Sequence, residues 1–179
     1  MKLTQEGIDL VREFEGLRLT SYPDPASPIA RELLKLQGRR VKGWELLSGE
    51  PWTIGYGSTG FDNYNLDVHG KPTKIGRGLT WTEEQSEARN ILDLEKFSDQ
   101  IRAILKVQLN DNQFSALVSF AYNLGIGNLK SSTLLKRVNE SKFPEAAREI
   151  LKWNKAVGQV MPGLVRRRAA ENKLFLKPV

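Results

Sequence analysis

A change of pattern near residue 81 constrains this chain more than any other feature. From Gly38 to Thr80 the sequence reads GRRVKGWELLSGEPWTIGYGSTGFDNYNLDVHGKPTKIGRGLT, in which glycines recur and Trp, Thr, Ile and Tyr are interleaved between them. That composition predicts short antiparallel strands joined by tight turns. From Thr82 onward the spacing becomes helical. Thr82 and Gln85 form a capping-box pattern, and Ile91, Leu94, Ile101, Ile104 and Leu105 give a long amphipathic helix, broken at most once. Further helices are expected over Asn112 to Leu124, closed by Gly125, over Ser131 to Asn139, over Pro144 to Lys155, and over Gly163 to Leu176. Ahead of the glycine-rich stretch lies one more helix. Thr4 is its N-cap, Ile8, Val11 and Phe14 share a face, and Gly16 is its stop. The order is therefore helix, small β region, helical second half. This predicts an α+β chain of one domain over 1–179 with two lobes, 1–80 and 81–179, and a ligand cleft between them.

Composition removes several chemistries. With no cysteine there is no disulfide, thiolate metal site or cysteine nucleophile. The single histidine, His69, reads as a surface loop residue, and no metal or cofactor is expected. No apolar run approaches the roughly 20 residues that a membrane span requires. The N-terminal MKLTQEGIDLVREFEG has no apolar core of the kind a secretory signal carries. The net charge of +6 suits a solvated basic surface or attraction to a polyanion, and charge alone does not choose among nucleic acid, anionic membrane and anionic cell wall. Arg166, Arg167 and Arg168 are the densest basic run, but no nucleic-acid-binding motif surrounds them. Residues 163–179 carry these three with Lys173 and Lys177 against Glu171. They read either as a solvated helix face or as an aid to wall association.

Two carboxylates stand out. Glu15 falls at the end of the first helix, where the helix dipole is negative. Dipole and partial burial both disfavour its ionised form, which suits a proton donor. Equally, it reads as an ordinary exposed helix-end glutamate. Asp24 lies in Tyr22-Pro23-Asp24-Pro25, where the two prolines stiffen the backbone on either side. Glycoside hydrolysis needs two such positioned carboxylates, and a turn aspartate is the plain alternative.

Four segments then carry a resemblance. EGLRLTSYPDPAS, GEPWTIGYG, QFSALVSFAYNLGIGNLKSSTLL from Gln113 and PGLVRRRAAENKLF from Pro162 are similar, in this order, to the signature of bacteriophage-type lysozymes. The resemblance implies a two-lobed lysozyme-like fold with the active-site cleft between the lobes. It implies an endolysin that hydrolyses the β-1,4 bond between N-acetylmuramic acid and N-acetylglucosamine in peptidoglycan and so lyses the cell. Glu15 then protonates the glycosidic oxygen, while Asp24 and Thr53 hold the attacking water, with inversion of configuration. Tyr122, Asn123 and Ser132 match substrate-contacting positions. Trp52 and Trp153 read as packing residues. Such an enzyme is expected to be a monomer with no nucleic-acid partner and no stable membrane insertion, held in the host cytoplasm until lysis. An inactive wall-binding module of the same fold and a lytic transglycosylase are the rival readings.

Two departures from that pattern matter. Residues 28–47 interrupt the short turn that normally links the aspartate to the threonine. They contain a local helix signal from Ser27 and Pro28 to Gly38, which suits a basic flap at the cleft rim or a helix packed on the small lobe. The interruption makes Glu32, Glu45 and Glu50 rival carboxylates. Ser58 also stands where many relatives have histidine.

Overall fold

A computed structural model describes residues 1–24, 27, 50–156 and 158–178. The chain divides into two compact units, Met1–Phe14 with Ile91–Val179, and Glu15–Asn90. The expected helix over 27–38 and the interruption at 28–47, with Glu32 and Glu45, lie outside the described residues, save Ser27 itself.

The first unit is helical. It holds α1 (Gln5–Glu15, apart from its last residue), the C-terminal part of α2 (Glu83–Arg102), α3 (Asp111–Leu124), α4 (Ile126–Ser131), α5 (Thr133–Asn139), α6 (Phe143–Leu151) and α7 (Pro162–Leu176). A two-rung hairpin, β5 (Lys155–Ala156) with β6 (Gln159–Val160), separates α6 from α7. At the centre is α3. Eight successive residues, Phe114 to Ala121, are buried. A helix covered through more than two turns on every face is a core helix, not a surface one. Its start is fixed by a reciprocal cap in which the Gln113 N–H donates to the Asn110 side chain and the Gln113 side chain accepts from the Asn110 N–H. Its end falls at Gly125, whose φ of 86° favours glycine. Leu10 and Val11 of α1, Leu134 and Val138 of α5, Ile150 of α6 and Leu174 and Phe175 of α7 belong to the same buried cluster.

Local chemistry fixes most helix ends where the sequence places them. Thr4 Oγ1 accepts from the Gly7 N–H at 3.1 Å, and Gly16 follows α1 at φ 69°. Thr82 and Gln85 make both halves of the capping box, at 2.8 and 3.2 Å. Three expectations change. The helix after Thr82 runs unbroken and stops at Arg102, so Ile104 and Leu105 lie beyond its end. The helix expected up to Lys155 ends at Leu151, because Lys155 pairs with Val160 in the hairpin. An additional short helix, α4, fills 126–131, between the two helices expected on either side.

The second unit contains β1 (Arg18–Pro23), β2 (Trp52–Gly55), β3 (Phe61–Leu66) and β4 (Pro72–Lys74), with the first part of α2. β1 pairs antiparallel with β2, and β3 with β4. The second edge of β1 is also held. The Ser21 N–H donates to the Leu79 carbonyl at 2.8 Å and the Trp81 N–H to the Leu19 carbonyl at 2.9 Å. Ile54, Ile75 and Trp81 form a small separate core, with Trp52, Tyr64 and Leu79 against it. Fully buried Asp62 organises that core. Its carboxylate accepts from Trp81 Nε1 at 3.0 Å, the Tyr64 N–H at 2.9 Å and Asn65 Nδ2 at 2.6 Å.

α1 approaches α3 through Gly7. A Cβ placed on Gly7 would stand 2.6 Å from the Ser115 Cβ. Gly7→Ala should therefore lower the melting temperature. Overpacking costs about 1–3 kcal/mol, against roughly 1 kcal/mol gained in helix propensity. A melting temperature equal to or above that of the parent would show that the two helices separate at no cost.

Candidate active site

The segment from Glu15 to Asp24 forms one edge of the small sheet. Gly16 ends α1, and the chain then enters β1 directly. Across the sheet Tyr22 pairs with Thr53 and Pro23 with Trp52. The ladder continues one step beyond the strand, because the Asp24 N–H donates to the Pro51 carbonyl at 2.9 Å. Asp24 is thereby fixed to the strand that carries Thr53, although residues 25–52 intervene in sequence. The Ser27 N–H donates to the Asp24 carbonyl at 2.8 Å.

Glu15 and Asp24 are each half-buried. Both bear on one phenol, that of Tyr22. Burial pushes the Tyr22 hydroxyl above its ordinary range, and the negative charges of Glu15 and then Asp24 add to this, while Arg18 opposes it. The Arg18 guanidinium lies 5.7 Å from the centre of the Tyr22 ring. A phenol held this way stays protonated through the neutral range, so Tyr22 is a neutral neighbour shared by the two carboxylates. The sequence reading passed over Tyr22 and Arg18. Strand alternation was the available signal, since Tyr22 stands two positions before Asp24.

Thr53 is 5% exposed, and its hydroxyl is buried without a hydrogen-bond partner among the described residues. A buried hydroxyl left in this state costs about 1–3 kcal/mol. The turn that follows holds the strand in place. The Ile54 N–H donates to the Ser58 carbonyl at 3.0 Å and the Ser58 N–H to the Ile54 carbonyl at 2.9 Å. Gly55 has φ 65°, and a Cβ there would meet the Trp81 ring at 3.2 Å, so both backbone and packing require glycine. The rival carboxylate Glu50 is exposed and ion-paired with Lys74. His69 is exposed in the turn after β3, as expected of a loop residue. Among the described residues no group of three or more His, Asp or Glu is placed to hold a metal ion.

Tyr122, Asn123 and Ser132 belong to the helical unit. The Tyr122 ring packs against Phe97 at 5.4 Å. Asn123 Oδ1 accepts from Arg168 Nη2 at 3.0 Å. Ser132 caps α5: its hydroxyl accepts from the Leu135 N–H at 3.0 Å and donates to the Leu129 carbonyl at 2.7 Å. Trp52 and Trp153 are packing residues, Trp52 on the small core and Trp153 edge-on to Phe120 at 5.5 Å. The basic terminal helix is not the solvated face that its charge pattern suggests. Arg167 and Arg168 are buried with Glu171, and Lys177 pairs with Glu6, which leaves Arg166 and Lys173 on its exposed side.

Comparison with known proteins gives a consistent result. Residues 35–171 match the family model described as phage lysozyme. The endolysin of Bacillus phage B103 is 41% identical over 98% of this chain. This chain spans about half the length of that relative, 54% of it. The endolysin of Acyrthosiphon pisum secondary endosymbiont phage 1 is 32% identical, over 98% of both chains. Among solved structures, the muramidase domain of SpmX from Asticaccaulis excentricus superposes with a TM-score of 0.72 at 31% identity, covering 99% of each chain. The family match begins beyond Glu15 and Asp24, but both relatives extend across nearly the whole of this chain. It belongs to the phage lysozyme family.

Proposed function

We propose that this chain is a muramidase of the endolysin type. It hydrolyses the β-1,4 bond between N-acetylmuramic acid and N-acetylglucosamine in bacterial peptidoglycan and thereby lyses the cell. The observation that carries this reading is the buried hydroxyl of Thr53, which has no hydrogen-bond partner among the described residues, on the strand segment to which the Asp24 N–H is bonded. A hydroxyl in that position is suited to hold a water molecule. The relatives, an endolysin and a muramidase domain, support the same chemistry.

In the proposed reaction Glu15 gives its proton to the glycosidic oxygen as the bond from that oxygen to C1 breaks. A water oriented by Thr53 attacks C1 from the opposite face and loses its proton to Asp24. Glu15 ends ionised and Asp24 protonated, and exchange with solvent restores both. Attack from the opposite face inverts the anomeric carbon. An inverting pair requires a carboxyl separation of about 6.5–9.5 Å to admit the water. Tyr122, Asn123 and Ser132 contact the glycan in this reading, Ser132 through the helix start that it caps. The enzyme works as a monomer on wall polymer, without nucleic acid or stable membrane insertion, and waits in the host cytoplasm until lysis. No helix among the described residues is long and apolar enough to cross a membrane.

Glu15→Gln should fold as the parent does and lose activity by about 10²–10⁴-fold, the usual value of general acid catalysis. Release of reducing ends from purified peptidoglycan measures this, and a folded variant keeping a tenth of the activity removes Glu15 as the acid. Products ending in reducing sugar distinguish hydrolysis from transglycosylation, which leaves an anhydro end.

The two candidate bases should separate cleanly. Asp24→Asn is expected to be nearly inactive. Glu50→Gln should stay within about twofold of the parent, because an exposed ion pair contributes little. The opposite ranking would transfer the base to Glu50. Thr53→Val keeps the strand shape and removes only the hydroxyl. It should hold or raise the melting temperature while slowing turnover, and an unchanged rate would take Thr53 out of the site.

A further inference from the structure

Helix α7 buries three ionisable side chains in the helical unit. Arg168 and Glu171 are 0% exposed and Arg167 is 3% exposed. One oxygen of Glu171 accepts from Ser119 Oγ at 2.8 Å, Arg168 Nη2 at 2.9 Å and Arg167 Nε at 3.2 Å. Burial pushes the Glu171 carboxyl up, and the two guanidiniums and the serine pull it back. Arg168 lies on the Phe120 ring, 4.9 Å from its centre. The same Nη2 that reaches Glu171 also reaches Asn123 Oδ1, at 3.0 Å.

This last bond sets the orientation of the asparagine. A guanidinium has donors only, so the amide group must turn its oxygen inward and its NH2 away. Asn123 is half-buried near the end of α3, and its Nδ2 makes no hydrogen bond among the described residues. An asparagine in such a place samples several rotamers unless something holds it. Here one fully buried donor does so, and that donor is itself fixed by Glu171 and Phe120.

We propose that Arg168 is a positioning residue for glycan binding, which locks the Asn123 amide so that its NH2 is presented to an acceptor oxygen of the sugar, an N-acetyl carbonyl or a hydroxyl. The inference rests on the muramidase reading. Its physical content is preorganisation: the ordering of the Asn123 side chain is settled during folding and is not lost again when substrate binds. The arrangement also gives the buried arginine a task that an apolar residue of similar size would not perform. Apolar replacement of a buried ion pair is otherwise often neutral or stabilising.

The test is a double-mutant cycle in the full chain. Arg168→Lys keeps a cation for Glu171, but its shorter side chain has no planar guanidinium whose Nη2 reaches both Glu171 and Asn123. Asn123→Ser removes the presented amide. Each should raise KM on the order of tenfold, the value of one hydrogen bond, and leave kcat nearly unchanged. The double variant should be no worse than Asn123→Ser alone. If Arg168→Lys lowers stability while the folded enzyme keeps the parent KM, or if the two effects multiply, Arg168 is structural and the inference is wrong. A parent-like KM for Asn123→Ser also overturns it, yet leaves the muramidase reading intact, because that reading depends on Glu15→Gln. Should Arg168→Lys fail to fold, the parent protein decides by nuclear magnetic resonance. The Asn123 side-chain amide should be as ordered as the backbone in the free protein and should shift when N-acetylglucosamine oligomer is added. A mobile amide, or one indifferent to the sugar, rejects the proposal.

Discussion

The pairing of β1 with β2 is the constraint on which the proposed site depends. Glu15 and Asp24 are close in the chain, but Thr53 is not. The ladder of Tyr22 with Thr53 and Pro23 with Trp52, extended by the Asp24 N–H, brings the strand that carries Thr53 alongside Asp24. Closing a long connection is entropically cheap, because each doubling of its length costs only about 0.6 kcal/mol. That weak dependence explains how the chain accepts residues 28–47 between two residues of one site. The pairing must in turn be held from behind. Strand β1 is braced on its other edge by Leu79 and Trp81, and Trp81 is fixed by the buried carboxylate of Asp62. Removing Asp62 would thus reach the site through Trp81, with no contact to substrate.

Most of the fold that could be read from sequence was encoded in local chemistry. Thr4, Gly16, the pair Thr82 and Gln85, and Gly125 mark helix ends through bonds or dihedral preferences that act within four residues. What stayed hidden was long-range. Nothing local in residues 18–23 says that their partners are 52–55 and 79–81. The end of α2 at Arg102 was missed because Ile104 and Leu105 keep the helical spacing of apolar residues after the helix has stopped. They are partly buried against the main core without being helical. Of the site, the two carboxylates and Thr53 were nominated by proline rigidity, helix-end position and resemblance. Tyr22 was overlooked because its alternation with Asp24 becomes legible only once 18–23 is known to be a strand.

The terminal helix shows a different limit. Charge patterning cannot separate a solvated basic face from a buried ionic cluster, since both place arginine and glutamate three or four residues apart. The distinction lies in the partner helix. α3 offers Ser119, Phe120 and Asn123 on one side, a hydroxyl, a ring face and an amide oxygen that receive two guanidiniums and a carboxylate. Desolvating charges costs several kcal/mol per ion, and removing one member of such a cluster leaves an uncompensated charge. The +6 net charge therefore overstates the basic surface of this helix, because Arg167 and Arg168 contribute nothing to it.

Folding alone would favour valine over threonine at residue 53. The position is a strand interior, buried, between half-buried Trp52 and buried Ile54 and across from the opposite strand. Valine has the same branched shape and the same strand preference, and it leaves no polar atom to desolvate. The threonine found there keeps a hydroxyl that the described protein does not satisfy, at a cost of about 1–3 kcal/mol. Buried unsatisfied groups are rare, and each calls for a cause. Elsewhere in this unit several buried polar groups are paired: Ser21 with Gly76 and Leu79, Asp62 with Trp81, Tyr64 and Asn65, Arg89 with Phe61 and Thr59. Against that background the Thr53 hydroxyl lies across the ladder from Tyr22, the phenol on which both candidate carboxylates act. The stability given up at this strand position supports the water-holding role proposed for Thr53.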